Sequence, residues 1–215
     1  MGYRPVSARN SLAAKAARRA GPDPGTSKAR VAEAVHRAVC DVTGTDGLGH
    51  CALYARAGAV VASVVTNAEY VVNAGRMTAG TGARDPEDDG TELYLGMDPA
   101  LSGYCGMEFH AWCVRRPPGV PAGVLLQADP SSVEVVDLSM RHYRAMAEAI
   151  GLPWPREPLP PWYWGSLAGL REMRVNLSAD AEMTMMLIRE QDPGPVRAAV
   201  RLALKRLGHP NWHAA

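Results

Sequence analysis

The chain has 215 residues, 47% of them hydrophobic, with a formal net charge of +1 and a pI near 7.7. That content suits one compact domain with extensions, and so even a charge balance gives no electrostatic footprint for nucleic acid or an anionic membrane surface. No apolar run approaches the roughly 20 residues that span a bilayer, and the N-terminus lacks the apolar core of a secretory signal, so the reading places the protein in the cytoplasm and expects neither nucleic acid nor membrane as a partner.

Four cysteines, Cys40, Cys51, Cys105 and Cys113, are too few and too irregularly spaced for a disulfide framework, which makes reduced thiols the expectation. Residues 1–27 mix Arg, Lys, Ala, Gly, Pro and Ser with few large apolar groups, and Gly21-Pro22-Asp23-Pro24-Gly25 would interrupt a helix, so a disordered basic arm is predicted there. Ser27 is placed to cap a helix from Lys28 to Val42, with Val31, Ala34, Val35, Ala38 and Val39 at helical spacing and Gly44 as its stop.

After the turn-rich link Thr45 to Gly49 comes an unusually small-residue run, Cys51 to Val65. Ala52, Ala55, Ala57, Gly58, Ala59 and Ala62 allow close backbone approach, which predicts a buried central helix with Cys51 in its first turn. Residues 70–77 then read as a strand and residues 83–106 as a long polar loop. The acidic run Asp85 to Gly90 does not fit the spacing of a Ca²⁺ loop and is read as solvated.

Three strands are expected at 107–115, 122–128 and 133–138, separated by Arg116-Pro117-Pro118-Gly119 and Asp129-Pro130-Ser131-Ser132. Ser139 is expected to begin a helix of about a dozen residues, with Tyr143, Met146, Ala147 and Ile150 on one face and Gly151 as its stop. Leu152 to Gly165 holds five prolines and three tryptophans and reads as an irregular flap, where Trp162, Tyr163 and Trp164 either wall a cleft or simply pack. A short strand at 173–177 and a Met-rich helix at 179–189 follow. The last helix, 195–207, turns Val196, Val200, Leu204 and Leu207 inward and Arg197, Arg201, Lys205 and Arg206 outward.

Three stretches carry chemistry. Cys51 begins a helix, whose positive dipole end favours a thiolate. His110 stands in the strand-like Glu108-Phe109-His110-Ala111-Trp112-Cys113-Val114, where it can take a thiol proton and later deliver it to a leaving group. Asp137 ends a strand and can hold the other ring nitrogen, so that the correct tautomer faces the sulfur. Strand alternation puts His110 on one face with Glu108 and Trp112, and Phe109, Ala111 and Cys113 on the other; Asp137 shares its face with Val133 and Val135. The expectation is that His110 faces Cys51 while Cys113 is buried on the other side of the sheet. Trp112 is placed to shelter the pair from water. The Cys51 N–H is the first oxyanion donor, and His50 and Tyr54 are further candidates.

Gly49-x-Cys51 at the head of an Ala-rich helix, an apolar strand with His110-Ala111-Trp112, and a strand ending Val135-Val136-Asp137-Leu138-Ser139 together resemble the core of the transglutaminase-like cysteine proteins, within the wider papain-like group. The resemblance covers roughly residues 30–140. Members carry Cys, His and Asp in this order, and those of similar size in bacteria and phages include peptidases, lasso-peptide leader peptidases among them, and amide hydrolases. The resemblance implies Cys51 as nucleophile, His110 as base and Asp137 as orienter. Cys113 stands where Val is common, Leu138 where Pro is frequent, and no Trp follows the nucleophile, which leaves the substrate class open.

The sequence therefore predicts an α+β, papain/transglutaminase-like core at 28–150, with the nucleophile helix packed on a small antiparallel sheet, and a segment 151–215 packed on the same domain. Catalysis by Cys51, His110 and Asp137 would act on an amide, peptide or thioester bond of a peptide, protein or small-molecule acyl substrate. Trp112, Trp162 and Trp164 are candidate substrate contacts, and no metal or cofactor is called for. Two alternatives stand beside it: a zinc-binding structural domain using Cys105, His110 and Cys113 with His50 or Cys51, and a non-catalytic binding module on the same fold.

Overall fold

A computed structural model describes residues 27–80, 92–96, 106–120, 132–152, 154, 159–190 and 192–209. Residues 1–26 of the basic arm, the acidic run, the expected strand at 122–128 and Cys105 lie outside the described residues.

Helix α1 (Lys28–Thr43) starts where the Ser27 hydroxyl accepts the Arg30 N–H, and it ends at Gly44, whose φ of 68° returns its own N–H to the Cys40 carbonyl. Val31, Val35, Ala38 and Val39 share its buried face. Helix α2 (Cys51–Thr66) is buried almost all round, as its run of small residues requires. A Cβ on Gly58 would stand 2.8 Å from Leu138 Cδ1 and 3.4 Å from Cys113 Sγ, so the bare glycine lets the helix settle onto the sheet. At the far end of α2 the Ser63 hydroxyl donates to the Ala59 carbonyl and accepts the Tyr70 N–H at 2.9 Å, tying the helix to the strand that follows.

The sheet contains β1 (Glu69–Gly80), β2 (Glu92–Leu95), β3 (His110–Arg116), β4 (Glu134–Asp137), β5 (Tyr163–Ser166) and β6 (Val175–Ala179), all antiparallel. Their order is β2-β1-β3-β4-β5, with β6 added to β1. Gly75 pairs with both His110 and Ala179, so β3 and β6 run along opposite edges of β1.

Alternation sends the two faces of this sheet into two apolar clusters. Ala111, Cys113, Val136 and Leu138 pack against α1, α2 and α6 (Pro193–Arg206). Trp112, Val114, Val133 and Val135 pack on the other side with Met140 of a 3₁₀ turn (Met140–His142), Tyr143 and Met146 of α3 (Tyr143–Ala149), and Leu170 of α4 (Leu167–Glu172). In α5 (Ala181–Glu190) Met183 and Leu187 are buried and Met186 is exposed. The protein is a mixed α+β fold built on a small antiparallel sheet. β5 and β6 extend that sheet and α6 packs on α1 and α2, so the elements after residue 151 share the body formed before it. No helix among the described residues is long and apolar enough to cross a membrane.

Three local expectations are corrected. The polar loop 83–106 contains strand β2, whose Leu93 and Leu95 are buried beside β1. The Pro/Trp-rich segment holds β5, because once its prolines are passed Tyr163–Ser166 can complete the ladder beside β4. The helix after Ser139 is a 3₁₀ turn followed by seven residues of α3, and Ile150 is left exposed.

Candidate active site

Cys51 is the first residue of α2 and 4% exposed; its Sγ lies 3.9 Å from the carbonyl oxygen of Phe109, immediately before β3. His110 opens β3 and Asp137 closes β4, both enclosed. Cys113 pairs with Val136 and Val114 with Val135. Continued by one step, this register sets Asp137 across from Trp112 and diagonal to His110, on the same face.

The two side chains meet there, with His110 Nε2 2.8 Å from Asp137 Oδ2. A carboxylate can only accept, so Nε2 carries a proton, and Nδ1 is the nitrogen not bonded to Asp137. Asp137 Oδ1 accepts the backbone N–H and the hydroxyl of Ser139, each at 2.9 Å. The Tyr143 hydroxyl donates to Asp137 Oδ2 at 2.5 Å and stands 3.0 Å from His110 Nε2. The imidazole lies between two rings: Trp112 is stacked at a centroid separation of 6.1 Å, and Tyr143 meets it edge-on at 5.5 Å.

Burial works against a charged imidazole, but the Asp137 carboxylate outweighs it and raises the His110 pKa to about 10, with the Cys51 thiol acting in the same direction. Burial likewise works against the Asp137 carboxylate, and the imidazolium, Tyr143 and Ser139 together hold its pKa below the ordinary carboxylate value. Nδ1 of His110 is buried without a formed hydrogen bond. Cys51 is near enough to interact with the ring and to raise its pKa.

The parity expectation needs one correction. His110 and Cys113 do lie on opposite faces, but α2 covers the Cys113 face: Cys113 Sγ donates to the Ala55 carbonyl of α2 at 3.1 Å. Cys51, the first residue of α2, lies against the start of β3 with its Sγ beside the Phe109 carbonyl, and from there it acts on the His110 ring.

The remaining candidates scatter. His50 precedes α2, half-buried, and makes no side-chain cap. The Tyr54 hydroxyl is engaged between His36 Nδ1 (2.6 Å) and His142 Nε2 (3.3 Å). Trp164 Nε1 donates to Glu134 Oε1, and Lys28 Nζ sits over its ring at 5.4 Å, so this indole belongs to the junction of α1 and the sheet. Trp162 is half-buried against the helical cluster. Neither Ser139 nor Tyr143 carries a sequence signal for this site: by its spacing Tyr143 is one more member of an apolar helix face.

Among the described residues no group of three or more His, Cys, Asp or Glu side chains is placed to hold a metal ion, and Cys105 lies outside them. No protein-family model matches the chain, and searches of curated proteins and of solved structures give no match either. The candidate site consists of a thiol at a helix start, an imidazole, and a carboxylate holding one of its ring nitrogens.

Proposed function

We propose that the protein is a cysteine-nucleophile enzyme of the transglutaminase-like, papain-like kind, acting on an amide, peptide or thioester bond through an acyl-enzyme. The observation that carries this reading is the enclosed His110–Asp137 pair, 2.8 Å apart, with the unpartnered Nδ1 at the end of the sheet where Cys51 begins α2.

In this mechanism the Cys51 thiol proton passes to Nδ1 of His110, whose raised pKa favours the imidazolium, and the sulfur then attacks the acyl carbon. The Cys51 N–H, one of the first-turn donors with no intrahelical acceptor, stabilises the oxyanion. The tetrahedral intermediate collapses as the imidazolium protonates the departing amine or thiol, leaving a thioester on Cys51. Water, activated by the same Nδ1, then releases the acid; an amine in its place would give transfer. Hydrolysis is the simpler outcome, because water needs no second binding site. Cys40, Cys51 and Cys113 are free thiols, which fits a reducing compartment and an activity in the cytoplasm.

The test is intact-mass analysis of the full chain incubated with thioester, peptide and amide probes. A single acyl adduct on Cys51, absent in Cys51→Ala, is expected. No adduct from any probe, including the thioesters, would contradict the proposal.

A further inference from the structure

Asp137 is surrounded by more donors than orienting an imidazole requires. Ser139 fills both acceptor directions of Oδ1 through its N–H and hydroxyl, and His110 Nε2–H occupies one direction of Oδ2. The last direction is taken by the Tyr143 hydroxyl, 2.5 Å away on a fully buried side chain. That hydroxyl has one proton, and it points to the carboxylate, so the oxygen meets His110 Nε2 at 3.0 Å with its lone pairs.

We infer that Tyr143 is a positioning residue for the reaction proposed above: its hydroxyl saturates Asp137 as an acceptor and shares the Nε2 proton, which fixes that proton on Nε2 and makes Nδ1 the basic nitrogen offered to Cys51.

A carboxylate with a free lone pair in a buried site can pull the Nε2 proton off the imidazolium; that would leave a neutral acid facing an imidazole protonated on Nδ1, with Nε2 as the acceptor. Four donors leave Asp137 no need of that proton. The Tyr143 oxygen, already spent as a donor, cannot give Nε2 a hydrogen and can only receive one. Both contacts therefore favour the same tautomer. The ring of Tyr143 also packs edge-on against His110, but a phenylalanine would keep that contact. Other ionisable groups that feel Asp137 are Cys113 on the opposite face and His142 beside Tyr143, and neither bonds to it in the structure.

The inference rests on the proposed acyl-transfer site, but its test does not need turnover. The full-length chain and its Tyr143→Phe variant are labelled on Asp and His, and the Asp137 carboxyl carbon is followed by NMR from pH 2 upward and the His110 ring nitrogens up to pH 11, where the ring is neutral. The expected result is an Asp137 midpoint about one pH unit higher in Tyr143→Phe, since a hydrogen bond to a charged group has been removed, together with a weaker preference for the Nε2–H form at His110. Ser139→Ala should raise the same midpoint, which shows that the measurement responds to a lost donor even if Tyr143→Phe is less stable. An unchanged Asp137 midpoint in Tyr143→Phe alongside a raised one in Ser139→Ala would overturn the inference. If Cys51 forms no acyl adduct while Asp137 titrates as expected, the proposed function fails and the role of Tyr143 in holding the carboxylate stands.

Discussion

Cys113 Sγ lies 3.1 Å from the Ala55 carbonyl oxygen, so the thiol three residues from the candidate base is turned to the opposite face and locked against α2. Burial and the nearby Asp137 charge both raise its pKa, which makes it a poor nucleophile twice over. Native protein treated with iodoacetamide at pH 8 should show no modification of Cys113 by peptide mapping, and denatured protein full modification. Labelling of native Cys113 at the rate of an exposed thiol would mean that α2 does not cover this face.

Gly75 joins the site to the sheet, being paired to His110 on one edge and to Ala179 on the other. A Cβ there would stand 2.1 Å from the Ser178 carbonyl oxygen and 2.8 Å from the Asp180 nitrogen, both backbone atoms that cannot swing aside. Gly75→Ala should therefore cost about 3 kcal/mol or more, read from urea unfolding. A loss below about 1 kcal/mol would show that β6 is free to shift.

The His110–Asp137 pair predicts a definite pH dependence of stability. His110 titrates near 10 in the fold against 6.5 as its ordinary value, so its contribution is complete below about pH 6.5 and is lost as the pH rises toward 10. Asp137 is held below its ordinary 3.8, so its contribution is present above that value and is lost as the pH falls through the lowered one. The pair stabilises most between about pH 4 and pH 6.5. Asp137→Ala, which strands a buried imidazole, should cost on the order of 3–5 kcal/mol in that window and less at pH 9.5. A difference from wild type that grows between pH 6.5 and pH 9.5 would contradict this coupling.

Tyr54 gives a separate prediction, because its hydroxyl lies between His36 and His142. Tyr54→Phe leaves two imidazole nitrogens without that partner and should cost about 1–3 kcal/mol in thermal or urea unfolding. No measurable loss would mean that water replaces the hydroxyl freely.

Much of this was legible in the chain because period and order are local properties. The small residues from Ala52 to Ala62 announce a buried helix, and alternation around His110 separates it from Cys113 without any structure. Which face the helix covers is not local: it depends on Gly58 meeting Leu138 and Cys113, contacts made across the fold. The same holds for Tyr143, whose apolar neighbours hide a hydroxyl that matters only once Asp137 is beside it. β2 and β5 escaped for a related reason. Each is four residues long, and each becomes a strand through the partner it finds, β1 for one and β4 for the other.

The most direct test of the account is the alkylation rate of Cys51 by iodoacetamide in the native full-length protein at pH 6, read by peptide mapping against a small free thiol and against His110→Ala. Cys51 is predicted to react at least about tenfold faster than the free thiol, and to fall to the free-thiol rate or below it when His110 is removed. A Cys51 that reacts no faster than the free thiol, at a rate indifferent to His110→Ala, would contradict an activated nucleophile.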